Sequence, residues 1–222
     1  MSEIVLLSLK VAACAMFFTL PLALLAGFYL ARSSFGGKAF VSALVHLPLV
    51  LPPVVTGYAL LVVFGRNGFI GSMLDRIGLG FTFSWTGAAL AAAVMAFPLI
   101  VRPIRLAFEQ VEPGLEEMAA TLGAGFWRRF ITILLPLAWP GILAGLVLGF
   151  AKALGEFGAT ITFVSNIPGE TQTLSLAIYT LLQSPNGDSK ALMLIGFSVA
   201  LSILAVLASE IILARMEKRR EV

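Results

Sequence analysis

Long apolar runs, nearly free of charge, recur from one end of this chain to the other, and they leave few folds open. Four have the character of a membrane span: Ile4 to Ala31, Ala39 to Phe64, Thr86 to Val101 continuing to Phe108, and Ala191 to Ala214. A fifth, Leu137 to Val164, is equally apolar but carries Lys152 and Glu156. A helix rising about 1.5 Å per residue needs about 20 such residues to cross the roughly 30 Å hydrocarbon layer. Lipid offers the backbone no hydrogen-bond partners, so runs of this kind fold as helices. Composition points the same way. Of 222 residues, 59% are hydrophobic and 12% charged, where soluble domains average about 45–50% apolar and about 25% charged. The expectation is an all-α polytopic membrane bundle of about five transmembrane helices, with residues 1–222 forming a single transmembrane domain.

The first run is expected to be a retained span rather than a signal peptide, because Glu3 and no Lys or Arg precede it. A net charge of +3, without a basic stripe, argues against nucleic acid as a partner. One histidine and one cysteine, Cys14, are too few for a metal site or a disulfide within the chain. No catalytic constellation is expected.

Basic residues orient the spans, because Lys and Arg concentrate in cytoplasmic loops. With the 109–136 loop inside, Arg32, Lys38, Arg102, Arg105, Arg128, Arg129, Arg215, Lys218, Arg219 and Arg220 fall on the cytoplasmic side. Arg66, Arg76 and Lys190 fall outside. This predicts an external N-terminus, an internal C-terminus and an odd number of spans. Of the outer loops, Gly65–Trp85 holds Phe69, Phe81, Phe83 and Trp85 and reads as interfacial, and Leu174–Leu182 reads as a surface or re-entrant helix.

The cytoplasmic loop is the most informative stretch. Pro113 suits the first turn of a helix, and Glu116 and Glu117 complement its positive end. Ala119 and Ala120 are small helix formers that let another protein approach closely. Gly123 and Gly125 can end that helix and turn the chain. Phe126, Trp127, Phe130 and Ile131 then offer an apolar face beside Arg128 and Arg129. The pattern predicts a short helix, a glycine turn and a second helix, a knob shaped to fit a groove.

With Glu117, Ala119, Gly123, Ile133, Leu135 and Pro136 at their spacing, this loop resembles the EAA signature of permeases in bacterial ABC importers; Met118 stands where the signature has its first alanine. Two further segments, His46 to Tyr58 and Leu154 to Thr173, resemble the molybdate permeases, relatives of the sulfate/thiosulfate and tungstate permeases. The resemblance implies a type I ABC importer permease fold in a bacterial inner membrane, with the 109–136 loop as the coupling element. It also implies a homodimer, two cytoplasmic ATP-binding subunits and a periplasmic oxyanion-binding protein.

The chain holds no phosphate-binding G-x-x-x-x-G-K-[ST] loop, since its Gly37-Lys38 pair is followed by Ala39. ATP is therefore expected on the partner subunit, with no cofactor in this chain. A dianion moving into a negative interior climbs about 2.3 kcal/mol per charge per 100 mV, so uptake needs a coupled energy source.

Pathway or gate candidates are Pro52, Pro53, Thr56, Lys152, Glu156, Thr160, Thr162 and Asn166. Weak donors such as these threonines, Tyr58, Ser165 and Asn166 can hand an oxyanion along without trapping it. Pro48, Pro52 and Pro53 bend the second span, either as part of a gate or as a packing kink. Lys152 and Glu156, four apart on one helix face, are either gate residues or a self-neutralising packing pair. His46 reads as a packing residue. Gly141, Gly145 and Gly149 suggest close helix contact.

The leading expectation is the permease subunit of a molybdate importer. The alternatives are a related oxyanion (tungstate or sulfate/thiosulfate) and an ion channel without ATP coupling.

Overall fold

The structure, a computed structural model, describes residues 1–185 and 187–220, without the side chains of Ser209 and of 213–220. Asn186 of the expected outer loop, and the side chains of Arg215, Lys218, Arg219 and Arg220, therefore lie outside the described residues.

Small residues decide which helix lies at the centre. Helix α5 (Trp85–Glu109) buries Ala88, Ala89, Ala91, Ala92 and Ala96, and this lets neighbours come close from more than one side. Against it lie α1 (Ser2–Arg32), through Val11, Ala12, Ala15, Ala23 and Gly27, and later α8 (Leu135–Leu154). A Cβ on Gly27 would lie 2.6 Å from Ile104 Cγ2, and one on Gly141 would lie 2.7 Å from the Pro103 carbonyl oxygen. Gly145 and Gly149 meet Ile100 in the same way, so the glycine spacing marks the α8–α5 seam. Ser84 caps α5 by accepting the Gly87 N–H through its hydroxyl at 3.3 Å.

The second run is split. Helix α2 (Lys38–Val50) ends, and α3 (Pro53–Phe64) starts after a bend of 111°. The sequence predicts one bent helix here; the break is sharper. Leu51 and Pro52 each precede a proline and are held extended, at ψ 143° and 133°, because the following ring excludes the helical region. Helix α4 (Gly71–Arg76) lies in the loop that follows.

After α5, a short helix α6 (Pro113–Thr121) turns at Gly123, whose φ of +81° suits glycine. Helix α7 (Phe126–Arg129) then passes through a π-helical segment (Phe130–Leu134) into α8. The second helix of the expected knob is therefore not separate but the foot of a 29-residue span, Phe126–Leu154. The widened π turn ends at Leu134, two positions before Pro136, whose ring has no N–H and would crowd the preceding turn of a regular helix.

The run Leu137 to Val164 is also not one helix. Gly155 and Gly158 bracket an irregular step between α8 and α9 (Gly158–Val164). Helix α10 (Leu174–Leu182) packs on α11 (Asp188–Arg220) and on α1. Among the described residues, four helices are long and apolar enough to cross a membrane, five spans if α2 and α3 count as one, and there is no strand.

Candidate functional site

Chemistry-bearing residues gather in two places, one at an end of the bundle and one within it. At the end, α6 buries no residue. Glu117, Met118 and Ala120 are exposed, Ala119 is half-buried, and Leu122 is 87% exposed at the turn. Trp127 and Ile131 continue this uncovered apolar surface, with Gly125 exposed between them. Glu116 points the other way, and its Oε1 meets Arg32 Nη2 at 2.8 Å. The same nitrogen donates to the Val111 carbonyl at 3.1 Å. Arg129 reaches the Glu116 carbonyl at 3.5 Å. The base of the projection is aromatic: Phe28 of α1 lies 5.4 Å from Phe108, 5.3 Å from Phe130 and 6.0 Å from Phe126 between ring centres. Ile133, Leu135 and Pro136 thus sit not in the projecting tip but in the stem that enters the bundle, with Ile133 and Leu135 half-buried. Arg105, also at this end, donates to Glu109 Oε1 at 2.8 Å and to Ser42 Oγ at 3.2 Å, tying α5 to α2.

Within the bundle, the two breaks meet. Helices α3 and α9 pack so closely that a Cβ on Gly57 would lie 2.6 Å from the Ala159 carbonyl oxygen. One on Gly158 would lie 2.7 Å from Pro53 Cβ. Pro52 and Pro53 stay exposed at this junction, while Thr56 and Thr160 are buried. The Thr56 hydroxyl has no hydrogen-bond partner. Thr162 instead turns back on its own helix, donating to the Gly158 carbonyl at 2.8 Å. His46 does the same in α2, its Nδ1 lying 2.7 Å from the Ser42 carbonyl oxygen.

Lys152 and Glu156 pair at 2.6 Å, but they do not share a helix face. Helix α8 ends at Leu154, so Glu156 lies in the irregular step beyond it. Its second oxygen accepts the Ala159 N–H at 2.9 Å and so caps α9. Spacing alone could not show this, because Gly155 gives the chain freedom to leave the helix between the two charges.

Beyond α9 the chain is held by side chains rather than by secondary structure. Ser165 adopts φ 66°, ψ −164°, a conformation that strains any residue but glycine. Thr171, fully buried, donates to the Ser165 carbonyl at 3.1 Å and accepts the Ile167 N–H at 2.9 Å. Asn166 donates to Thr180 Oγ1 and accepts from Gln172 Nε2. Asn166 is thus engaged in fixing the loop that leads to α10. Sequence reasoning missed Arg32, Thr171 and Ser8, the last of which accepts the Leu174 N–H at 2.7 Å. Their partners lie 84, 6 and 166 residues away, and only the first carries a charge that hints at pairing.

A helical membrane bundle with a broken span, α2 and α3, meeting the short helix α9 inside it, and a second short helix projecting from one end, is the membrane domain of a transporter. The chain belongs to the family of binding-protein-dependent transport system inner membrane components, whose model matches residues 20–218. It is 58% identical over 219 residues to the molybdenum transport system permease protein ModB of Escherichia coli strain K12, covering 98% of this chain and 95% of that one. The ModB of Haemophilus influenzae is 56% identical over 214 residues, covering 96% and 93%. Among solved structures, a bacterial ABC transporter involved in import of the acidic polysaccharide alginate shares the fold, with TM-score 0.76 and 21% identity over 96% of this chain and 78% of its own.

Proposed function

We propose that this chain is the permease subunit of an ATP-driven importer that carries molybdate from the periplasm to the cytoplasm. Similarity to molybdenum permeases along nearly their whole length carries the substrate assignment. The family it belongs to is one of membrane components, so ATP is bound and hydrolysed on a separate subunit. Helix α6 with its glycine turn is the coupling element, because its outward surface of Met118, Leu122 and Trp127 is apolar, uncovered and set on a rigid aromatic base. One chain supplies one such element, so a homodimer meets a pair of ATP-binding subunits about a two-fold axis. The N-terminus lies outside and the C-terminus inside, the orientation that the distribution of basic residues supports.

In this reading, residues 1–222 act as one transmembrane domain and the oxyanion passes where α3 and α9 meet. Pro52 and Pro53 keep α3 free to tilt against α2, and Thr56 and Thr160 offer hydroxyl groups without fixed charge. Glu156 holds Lys152 and so limits how tightly an anion is retained. A periplasmic oxyanion-binding protein delivers the substrate to the outer loops, including the braced segment that ends at α10.

Uptake of radiolabelled molybdate by proteoliposomes containing the whole complex tests the proposal. Uptake should require ATP and should fall more than ten-fold in Gly123→Val, which cannot hold φ near +81° without strain. The ATP-binding subunit should also copurify less with this variant. Sulfate outcompeting molybdate at equal concentration would overturn the substrate, and ATP-independent flux in Gly123→Val would overturn the coupling.

A further inference from the structure

Two devices fasten the projecting loop to the bundle, and they differ in kind. The α7 side is packed through Phe126 and Phe130 against Phe28 and Phe108, a contact that moves only if the bundle core repacks. The α6 side has no buried side chain, so packing does not hold it. Its reach toward α1 is the Glu116 carboxylate on Arg32, with Arg32 also bound to the Val111 carbonyl just ahead of α6. Glu116 and Arg32 side chains are each about one-fifth exposed, so water screens the pair only partly.

Arg32 is the last residue of α1, and α1 runs the length of the bundle against α5 and α8. Ser8 lies 24 residues earlier on the same helix, about 36 Å away at 1.5 Å per residue. There, 2% exposed, its hydroxyl accepts the backbone N–H of Leu174, the first residue of α10. One helix is therefore hydrogen-bonded at one end to the element that α6 belongs to and at the other to the base of the far-side loop.

We propose that Arg32 and Glu116 are positioning residues that make α1 the strut of the transport cycle, carrying displacement of α6 to the α10 side of the membrane. This rests on α6 being the surface that meets the ATP-binding subunit. Glu117, exposed beside Glu116, is left to that subunit, while Glu116 belongs to the permease's own transmission. Two adjacent glutamates thus divide the work, one facing the partner and one facing the strut.

The test uses the intact complex in proteoliposomes, with molybdate uptake and ATP hydrolysis measured on the same preparation. Arg32→Gln and Glu116→Gln should keep the ATP-binding subunit bound and ATP turnover within about two-fold of wild type, while molybdate taken up per ATP falls at least five-fold. The exchanged pair, Arg32→Glu with Glu116→Arg, should recover at least half of the wild-type ratio, a rescue that simple loss of stability would not give. Wild-type coupling in both single variants, or an exchanged pair no better than either, would overturn the strut. Copurification of the wild-type chain with an ATPase, scored in the same experiment, tests the docking reading separately: its failure removes both ideas, and its success leaves the variants to decide the second.

Discussion

At the step between α8 and α9, Glu156 is 2% exposed and divides its two oxygens between Lys152 Nζ and the Ala159 N–H. Removing the carboxylate leaves a cation and an N–H in low dielectric, which for a buried pair costs on the order of 3–5 kcal/mol. Lys152 is 28% exposed, so water offsets part of that. Glu156→Leu should therefore lower the melting temperature of the purified complex by several degrees, and Lys152→Met added to it should restore part of the loss. Lys152→Met alone strands the buried Glu156 carboxylate and should also lower the melting temperature, so the two roles open to the lysine are separated in Lys152→Met with Glu156→Gln. Reduced uptake in that pair at a recovered melting temperature places the lysine in the anion's path, whereas normal uptake confines it to packing. The pairing was legible in the sequence, because opposite charges four apart in an apolar run need each other. That Glu156 also caps α9 was not, since it depends on where α8 ends.

Helices α3 and α9 are short because each follows an interruption written in the sequence, prolines in one case and glycines in the other. Their contact is a backbone contact. A side chain at Gly57 would strike the Ala159 carbonyl oxygen at 2.6 Å and its Cα at 2.9 Å, and neither atom can rotate aside. Overpacking of this kind typically costs about 1–3 kcal/mol. Gly57→Leu is expected to insert in the membrane in normal amounts but to lose molybdate uptake, because the two half-helices are driven apart. Normal uptake in that variant would show that the α3–α9 contact does not matter to transport. The same periodic reading that located the spans gave no warning that these two pieces touch. Their glycines are 101 positions apart, and a lone glycine in an apolar run fits a kink, a cap or a contact equally well.

For the whole molecule, the charge distribution and the geometry make one joint statement. Arg32, Arg105, Arg128 and Arg129 all lie at the end of the bundle that carries α6, the end that the proposed orientation places in the cytoplasm. Leu122 is 87% exposed at the tip of this end and gives a direct probe. In a chain whose Cys14 is replaced by alanine, Leu122→Cys should react with a membrane-impermeant maleimide in inside-out vesicles and stay unlabelled in intact spheroplasts. Labelling from the outside would reverse the topology, and with it the coupling role of α6.

By itself, the sequence determined that this chain lives in a membrane as helices, and which loop projects. Those follow from the run of apolar residues against the thickness of lipid, and from prolines and glycines that act on the backbone locally. Tertiary structure alone decided that α5 is the hub, that α3 meets α9, that Glu156 is a cap, and that Arg32 grips Glu116. Each of these joins residues distant in the chain, or turns on the end point of a helix. Apolar periodicity names the face that packs but is blind to what it packs against.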